Sequence, residues 1–322
     1  MKEVKIISPL QKIDDLKINS FGIELYVKRD DLIHAEISGN KWRKLKYNLA
    51  EARMLGKKTL LTFGGAFSNH IYATAAAGKE FGFHTIGIIR GKDASEENPT
   101  LSFAKSCGME LHFIDRDEYR NKNDQDFLQK LKIEFHDPYI MPEGGANILG
   151  AKGCAEIISD INIPFDYICC PCGTGTTLAG IVMGLKGSSK ALGFAVLKGG
   201  EFLNAGINNL LTEETKSYSN WSINTDYHFG GYAKFNNLLL DFIGDLEQRH
   251  QISYEPIYTG KMMYGIYDLA AKGFFKKGES RFLSPPFKGW AKETGERIRV
   301  IALHTGGLQG LAGIEEKMNN NL

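Results

Sequence analysis

Long apolar runs are what this 322-residue chain most plainly lacks. A membrane-spanning helix needs roughly 20 consecutive apolar residues, and no stretch comes near that. The N-terminal MKEVKIISPLQKIDDLK is broken by charge, so no secretory leader is expected. Charge of one sign is lacking too: 39 Lys and Arg face 38 Asp and Glu, a formal net charge of +1. Neither nucleic acid nor an anionic membrane is expected as a partner on that balance. Cysteines are few and odd in number, five in all. Cys169, Cys170 and Cys172 crowd together in YICCPC, but a zinc framework needs a second, separated ligand pair. Buried free thiols in a reducing compartment, the cytoplasm, are the expectation. Internal repeats and low-complexity segments are absent, which excludes solenoids and fibrous classes.

What remains is ordinary globular composition, 43% apolar and 24% charged, in a chain long enough for two domains. Strand patterns recur at 23–28, 59–63, 84–90, 110–115, in YIMPEGGAN (139–147), where a strand ends in a second glycine loop, and at 166–171, 191–198 and 299–304. Between them lie helical patterns at about 41–56, 71–81, 100–107, 117–135, 148–160, 178–187 and 234–246, and a short one after 307. Such alternation implies α/β architecture with parallel sheets and right-handed crossovers. A polar, aromatic stretch at 211–231 shows little periodicity and reads as a long loop or lid; His228, Tyr227 and Trp221 within it receive no role.

Three glycine-rich loops directly follow strands: GGAFSNH (64–70), CGTGTT (172–177) and HTGG (304–307). In α/β folds ligands bind at the carboxyl ends of strands, so loops of this kind can converge on a site. CGTGTT, followed by an apolar helix, offers backbone N–H groups and the hydroxyls of Thr174, Thr176 and Thr177 to a phosphate. It is neither a Walker A loop, having no terminal Lys-Ser/Thr, nor a GxGxxG fingerprint, because Leu178 stands at the third glycine position. Alone it is equally a tight turn. SGNKWRKL (38–45) sets Lys41 at the first turn of an amphipathic helix, behind residue types, Ser38 and Asn40, that cap helix starts. The positive end of the helix dipole does not favour an ammonium there. A phosphate cup, a lysine so placed and polar loop residues together suggest pyridoxal phosphate.

SGNKWRKL, GGAFSNH, CGTGTTLAG, PIYTGK and HTGG, in that order, resemble the pyridoxal-phosphate family of D-cysteine desulfhydrases and 1-aminocyclopropane-1-carboxylate deaminases. The likeness runs from about Leu10 to Leu311. It implies fold type II, like the tryptophan synthase β-subunit: two parallel-sheet, three-layer α/β domains with the cofactor in the cleft. A large pyridoxal-phosphate-binding domain, 1–46 with 151–322, and an inserted small domain, 47–150, are implied. Lys41 then matches the lysine that carries the cofactor. Asn69 matches the residue bonded to the ring hydroxyl, and Gly173, Thr174, Gly175, Thr176 and Thr177 match the phosphate cup. Lys44 is a candidate to lend charge to the phosphate, with a solvated lysine as the alternative. Ser68 matches the serine that faces the substrate carboxylate and assists proton transfer, with a helix cap as its alternative role. His70 and Tyr232 are candidate substrate contacts, packing being the alternative for each. Tyr258 is a candidate acid–base and substrate-binding residue. Glu143 reads as an exposed carboxylate.

Two positions discriminate within the family. Its deaminases carry glutamate after the tyrosine of VYEGK and leucine in HLGG; here those positions are Thr259 and Thr305, as in the desulfhydrases. A carboxylate beside the ring nitrogen keeps it protonated and makes a strong electron sink. A threonine hydroxyl, donating to an unprotonated nitrogen, makes a weaker one, sufficient when the β-carbon bears a thiolate. The resemblance therefore implies β-elimination from a small amino acid, D-cysteine first, with pyruvate, ammonia and sulfide as products. The cyclopropane substrate and D-serine are the alternatives, and a non-catalytic phosphate-ligand binder is a third that gives Lys41 no purpose. A cytoplasmic homodimer is the family's usual form.

Overall fold

The computed structural model describes residues 7–92, 98–211, 215–277 and 297–311. Parts of the polar loop expected at 91–99 and of the 211–231 stretch, and most of the terminal helix, lie outside these residues. In chain order the strands are β1 (Leu10–Ile13), β2 (Ile23–Lys28), β3 (Thr59–Gly65), β4 (His84–Arg90) and β5 (Met109–Ile114). There follow β6 (Tyr139–Met141), β7 (Tyr167–Cys172), β8 (Lys190–Ala195), β9 (Trp221–Asn224) and β10 (Ile298–Leu303). The chain forms two compact units, Asp31–Gly153 with 306–311, and Ser8–Asp30 with Cys154–Thr305.

The unit Asp31–Gly153 holds a parallel four-stranded sheet in the order β5-β4-β3-β6. In β3 the residues Leu60 to Gly64 are all buried, as a central parallel strand covered on both faces requires. The helix Asn40–Met54 belongs to this unit. Trp42, Leu45, Leu49 and Ala52 form one apolar cluster with Leu60 of β3, Ala73, Ala76 and Phe81 of the helix Asn69–Phe81, and Met141 of β6. That stripe commits residues 31–46 to the four-stranded sheet, so the division falls before Asp31 rather than at the expected 46/47.

The other unit holds six strands in the order β1-β2-β10-β7-β8-β9, parallel except for β1, which pairs antiparallel with β2. Neither β1 nor β9 stands out in the sequence. Each is four residues long and lies at a sheet edge, where one neighbour suffices and little side chain is buried. β7 is buried at all six positions. It contains Pro171, which cannot donate to a ladder, and the β10 pairing stops at Cys169, before the proline is reached. The two strands thus part at their carboxyl ends, where their loops begin. Leu25, Val27, Leu192, Phe194, Ile266, Val300 and Ala302 lie in this unit's main core. Cys154, Cys169, Cys170 and Cys172 are buried free thiols. Among the described residues no helix is long and apolar enough to cross a membrane.

Candidate functional site

Each sheet reverses direction once. In the four-stranded sheet the chain runs outward from β3 to β4 and β5, then returns on the other side as β6. In the six-stranded sheet it runs outward from β7 to β8 and β9 and returns as β10. Ligands of open α/β sheets bind at these reversals, outside the carboxyl ends of the strands. The loops singled out in the sequence stand there: Ser68–His70 after β3, Gly173–Thr177 after β7 and Thr305 after β10.

At the β3/β6 reversal, Ser68 caps the helix Asn69–Phe81, its Oγ accepting from the His70 and Ile71 N–H groups at 3.2 and 3.3 Å. Asn69 is the first helical residue and half-buried. His70 is 2% exposed. Thr62 Oγ1 donates to the Met141 carbonyl at 3.0 Å, which spends its only proton. The 3.0 Å contact between His70 Nε2 and Thr62 Oγ1 therefore has the imidazole as donor. His70 is the Nε2–H tautomer, and its Nδ1 lone pair is buried without a partner. Burial first, then the Lys41 and Lys44 ammoniums, hold its pKa well below the ordinary 6.5.

Those lysines come from the helix Asn40–Met54. It starts at Gly39, with φ 65°, and has no side-chain cap, so the capping expected of Ser38 and Asn40 is not made. Asn40 instead accepts the Lys41 ammonium on Oδ1 at 2.8 Å. Lys44 is buried, not solvated, and donates to the Gly144 carbonyl at 3.2 Å in the loop after β6. One turn on, Asn48 and Asn147 exchange side-chain hydrogen bonds at 3.2 and 2.7 Å, which fixes the same loop. Glu143 forms an ion pair with Lys122 at 3.6 Å.

At the β7/β10 reversal, Gly175 leads the helix Thr176–Leu185 in a left-handed conformation, φ 77°, with no side-chain cap. A Cβ there would stand 2.6 Å from Ile207 Cγ1, so only glycine fits. Gly175, having no side chain, cannot itself cap the first-turn N–H groups of this helix. The Thr174 and Thr176 hydroxyls are 3.0 Å apart, and Thr176 and Thr177 are buried. The Tyr258 ring lies against the loop: a Cβ on Gly173 would meet its Cε1 at 3.2 Å and its hydroxyl at 3.4 Å. Tyr232 sits edge-on to Tyr258, ring centroids 6.0 Å apart.

Thr259 does not fill the role given to its hydroxyl. It is fully buried, and its Oγ1 donates to Glu255 Oε1 at 3.0 Å. Glu255, itself buried, also accepts from the Ile257, Tyr258 and Thr259 N–H groups and so caps the helix Thr259–Ala271. Burial raises its pKa to about 7 against the pull of those donors. The sequence reading missed Glu255, which stands outside the usual cap positions of a helix start. It missed Lys261 as well, which is buried and donates to the His228 and Gly231 carbonyls, both at 2.8 Å. Thr305 is buried at the carboxyl end of β10. Tyr227 donates to Asp268 at 2.6 Å, and Trp221 opens β9.

A family model described as "Pyridoxal-phosphate dependent enzyme" matches residues 4–283. A Pyrococcus horikoshii chain provisionally named a 1-aminocyclopropane-1-carboxylate deaminase is 32% identical over 324 residues, covering 97% of this chain and 92% of that one. An Arabidopsis thaliana protein named bifunctional D-cysteine desulfhydrase/1-aminocyclopropane-1-carboxylate deaminase, mitochondrial, is 31% identical, covering 90% and 74%. The crystal structure of an ACC deaminase homologue, 29% identical, superposes with a TM-score of 0.80 over 99% of this chain and 95% of that one.

Proposed function

The chain belongs to the pyridoxal-phosphate dependent enzymes, and from that premise we propose that it eliminates the β-substituent of a small amino acid. D-cysteine is the substrate proposed first: with one water it gives pyruvate, ammonia and hydrogen sulfide. The residues fit the cofactor. Gly175 leaves the helix Thr176–Leu185 without a side-chain cap, which suits a phosphate, and Gly173 clears room beside Tyr258. In this reading Gly173, Thr174, Gly175, Thr176 and Thr177 hold the phosphate, Lys44 adds charge, Asn69 bonds the ring hydroxyl and Lys41 carries the cofactor.

When bound, the cofactor supplies an electron sink for the pair left at Cα. Lys41 would take up the Cα proton, and Asn40 Oδ1 holds its amine at the helix start. Ser68 serves two ends. The cap uses only its lone pairs, so its hydroxyl proton remains to donate to a substrate carboxylate. His70 and Tyr232 border the substrate, and Tyr258 stands beside the glycine loop as an acid–base or packing group.

One observation carries the choice of D-cysteine. Position 259 offers no carboxylate to a ring nitrogen, and the Thr259 proton is committed to Glu255. Thr305, buried at the end of β10, is the second threonine of the pattern and in this reading supplies the hydroxyl that meets that nitrogen. A neutral hydroxyl supports thiolate loss better than ring opening. The relatives' names include both activities, which keeps the cyclopropane substrate as a second reading. Pyruvate release from D-cysteine, 1-aminocyclopropane-1-carboxylate and D-serine, assayed side by side, decides between them. Turnover of D-cysteine but not of the cyclopropane is expected; the reverse overturns the weak-sink argument. Lys41→Ala should lose at least about 10³-fold in rate. The proposal includes a cytoplasmic homodimer, which size-exclusion with light scattering tests for assembly.

A further inference from the structure

The segment 228–234 has an unusual backbone. Phe229, Gly230, Gly231 and Ala233 have φ values of 50°, 93°, 121° and 55°. Left-handed residues in such a row persist only where surrounding contacts over-determine them. Within the segment, His228 holds the turn locally: its Nδ1 accepts from Gly230 N–H at 2.9 Å and its carbonyl from Gly231 N–H at 3.0 Å. Phe229 packs edge-on against Tyr264, ring centroids 5.1 Å apart. A polar fastening to the rest of the unit is Lys261. Its ammonium donates to the carbonyls at both ends of the turn, His228 and Gly231, each at 2.8 Å.

Lys261 is 0% exposed, and burying an ammonium carries a desolvation cost that an apolar side chain would not. Burial lowers its pKa to about 8, although the Glu255 carboxylate opposes that. A core-filling role does not account for a charge there. Position in the helix does: Lys261 stands one turn after Tyr258 in Thr259–Ala271, and the turn it grips leads straight into Tyr232. Tyr232 is 40% exposed and meets Tyr258 edge-on, and Tyr258 lies against Gly173 of the glycine loop.

We propose that Lys261 is a positioning residue: it fastens the 228–231 turn and so sets Tyr232 against Tyr258, deciding which substrate side chains that pair admits. The part concerning substrate rests on the elimination reading above; the fastening itself does not.

The test uses the cofactor-loaded protein. In Lys261→Met, trypsin should cut after the exposed Lys234 at least about tenfold faster than in the parent. KM for D-cysteine should rise about tenfold while kcat changes less than about threefold. Tyr232→Ala should raise KM similarly, and adding Lys261→Met to it should cost less than about twofold more, because both remove one contact. Gly231→Ala is the second variant, useful if Lys261→Met does not fold. An added methyl meets only Lys198 at ordinary distance, 3.6 Å, but φ 121° resists alanine, so the turn loosens with Lys261 intact. It should reproduce the tryptic and KM effects. Unchanged cutting in both variants, or additive KM penalties in the double variant, overturns the proposal. If no small amino acid is turned over, the elimination reading fails, and the tryptic comparison alone decides whether Lys261 fastens the turn.

Discussion

GGAFSNH after β3 and CGTGTT after β7 are the same construction, a buried parallel strand, a glycine turn and a helix, and they finish differently. At the first, Ser68 Oγ takes two N–H groups of the opening turn. At the second, Gly175 leads the helix and offers no side chain to take them. A helix start presents four N–H donors that must find acceptors somewhere. The start that gives two of its donors to its own serine has fewer left for an anion and keeps the serine's proton to use. The start led by glycine is the one proposed to take a phosphate. The difference is one residue type at the cap, and it divides the labour of the two loops.

The largest effect should come from replacing the glycine at the second start. Gly175→Val places a branched side chain at φ 77° and 2.6 Å from Ile207. Cofactor affinity should fall by about two orders of magnitude or more, since both the loop path and its N–H array move. Absorbance titration of the apoprotein with pyridoxal phosphate measures it. A variant that binds as tightly as the parent would show that the uncapped helix is not the phosphate site.

A second contrast is titration. The loop Gly173–Thr177 contains no titratable side chain, whereas its counterpart carries His70. The folded pKa of His70 is depressed below 6.5 by burial and then by Lys41 and Lys44. The unfolded chain therefore binds this proton first. The stability gained from a neutral His70 is fully present above 6.5 and lost as pH falls below it, at up to about 1.4 kcal/mol per pH unit. His70→Gln can keep the donor to Thr62 but cannot take up the proton. Denaturant melts between pH 7 and 5 should lose slope in that variant by up to this amount. An unchanged slope would place the proton uptake elsewhere.

What could be read beforehand follows the same physical line. Loops announced by glycine after a buried strand were legible, because glycine and long apolar runs are strong local signals. The match to residues 4–283 then carried the family. Edge strands β1 and β9 were not, since four residues with one neighbour leave no periodicity. Thr259 was assigned to the ring from its place in a motif, but its hydroxyl is claimed by Glu255, four residues back, which only the helix geometry brings round. Lys44 gave no sign of being buried, because its partner, the Gly144 carbonyl, lies a hundred residues away. Lys261 reads in sequence as the end of a motif; its work is done on a turn thirty residues earlier. Long-range polar partners are what a single sequence conceals.

The smallest effect separates the two uses of Ser68. Ser68→Ala removes the cap and should cost about 1 kcal/mol in denaturant unfolding. Ser68→Asp keeps an oxygen for the His70 and Ile71 N–H groups and adds a charge that the helix start favours, so its stability should match the parent's. Neither variant can donate the hydroxyl proton, and the aspartate also repels a substrate carboxylate. If the proton acts on substrate, kcat/KM should fall about tenfold or more in both, with stability lost in one only. Should Ser68→Asp turn over at the parent rate, the serine is a cap and nothing else, and the serine-capped helix start takes no part in the reaction.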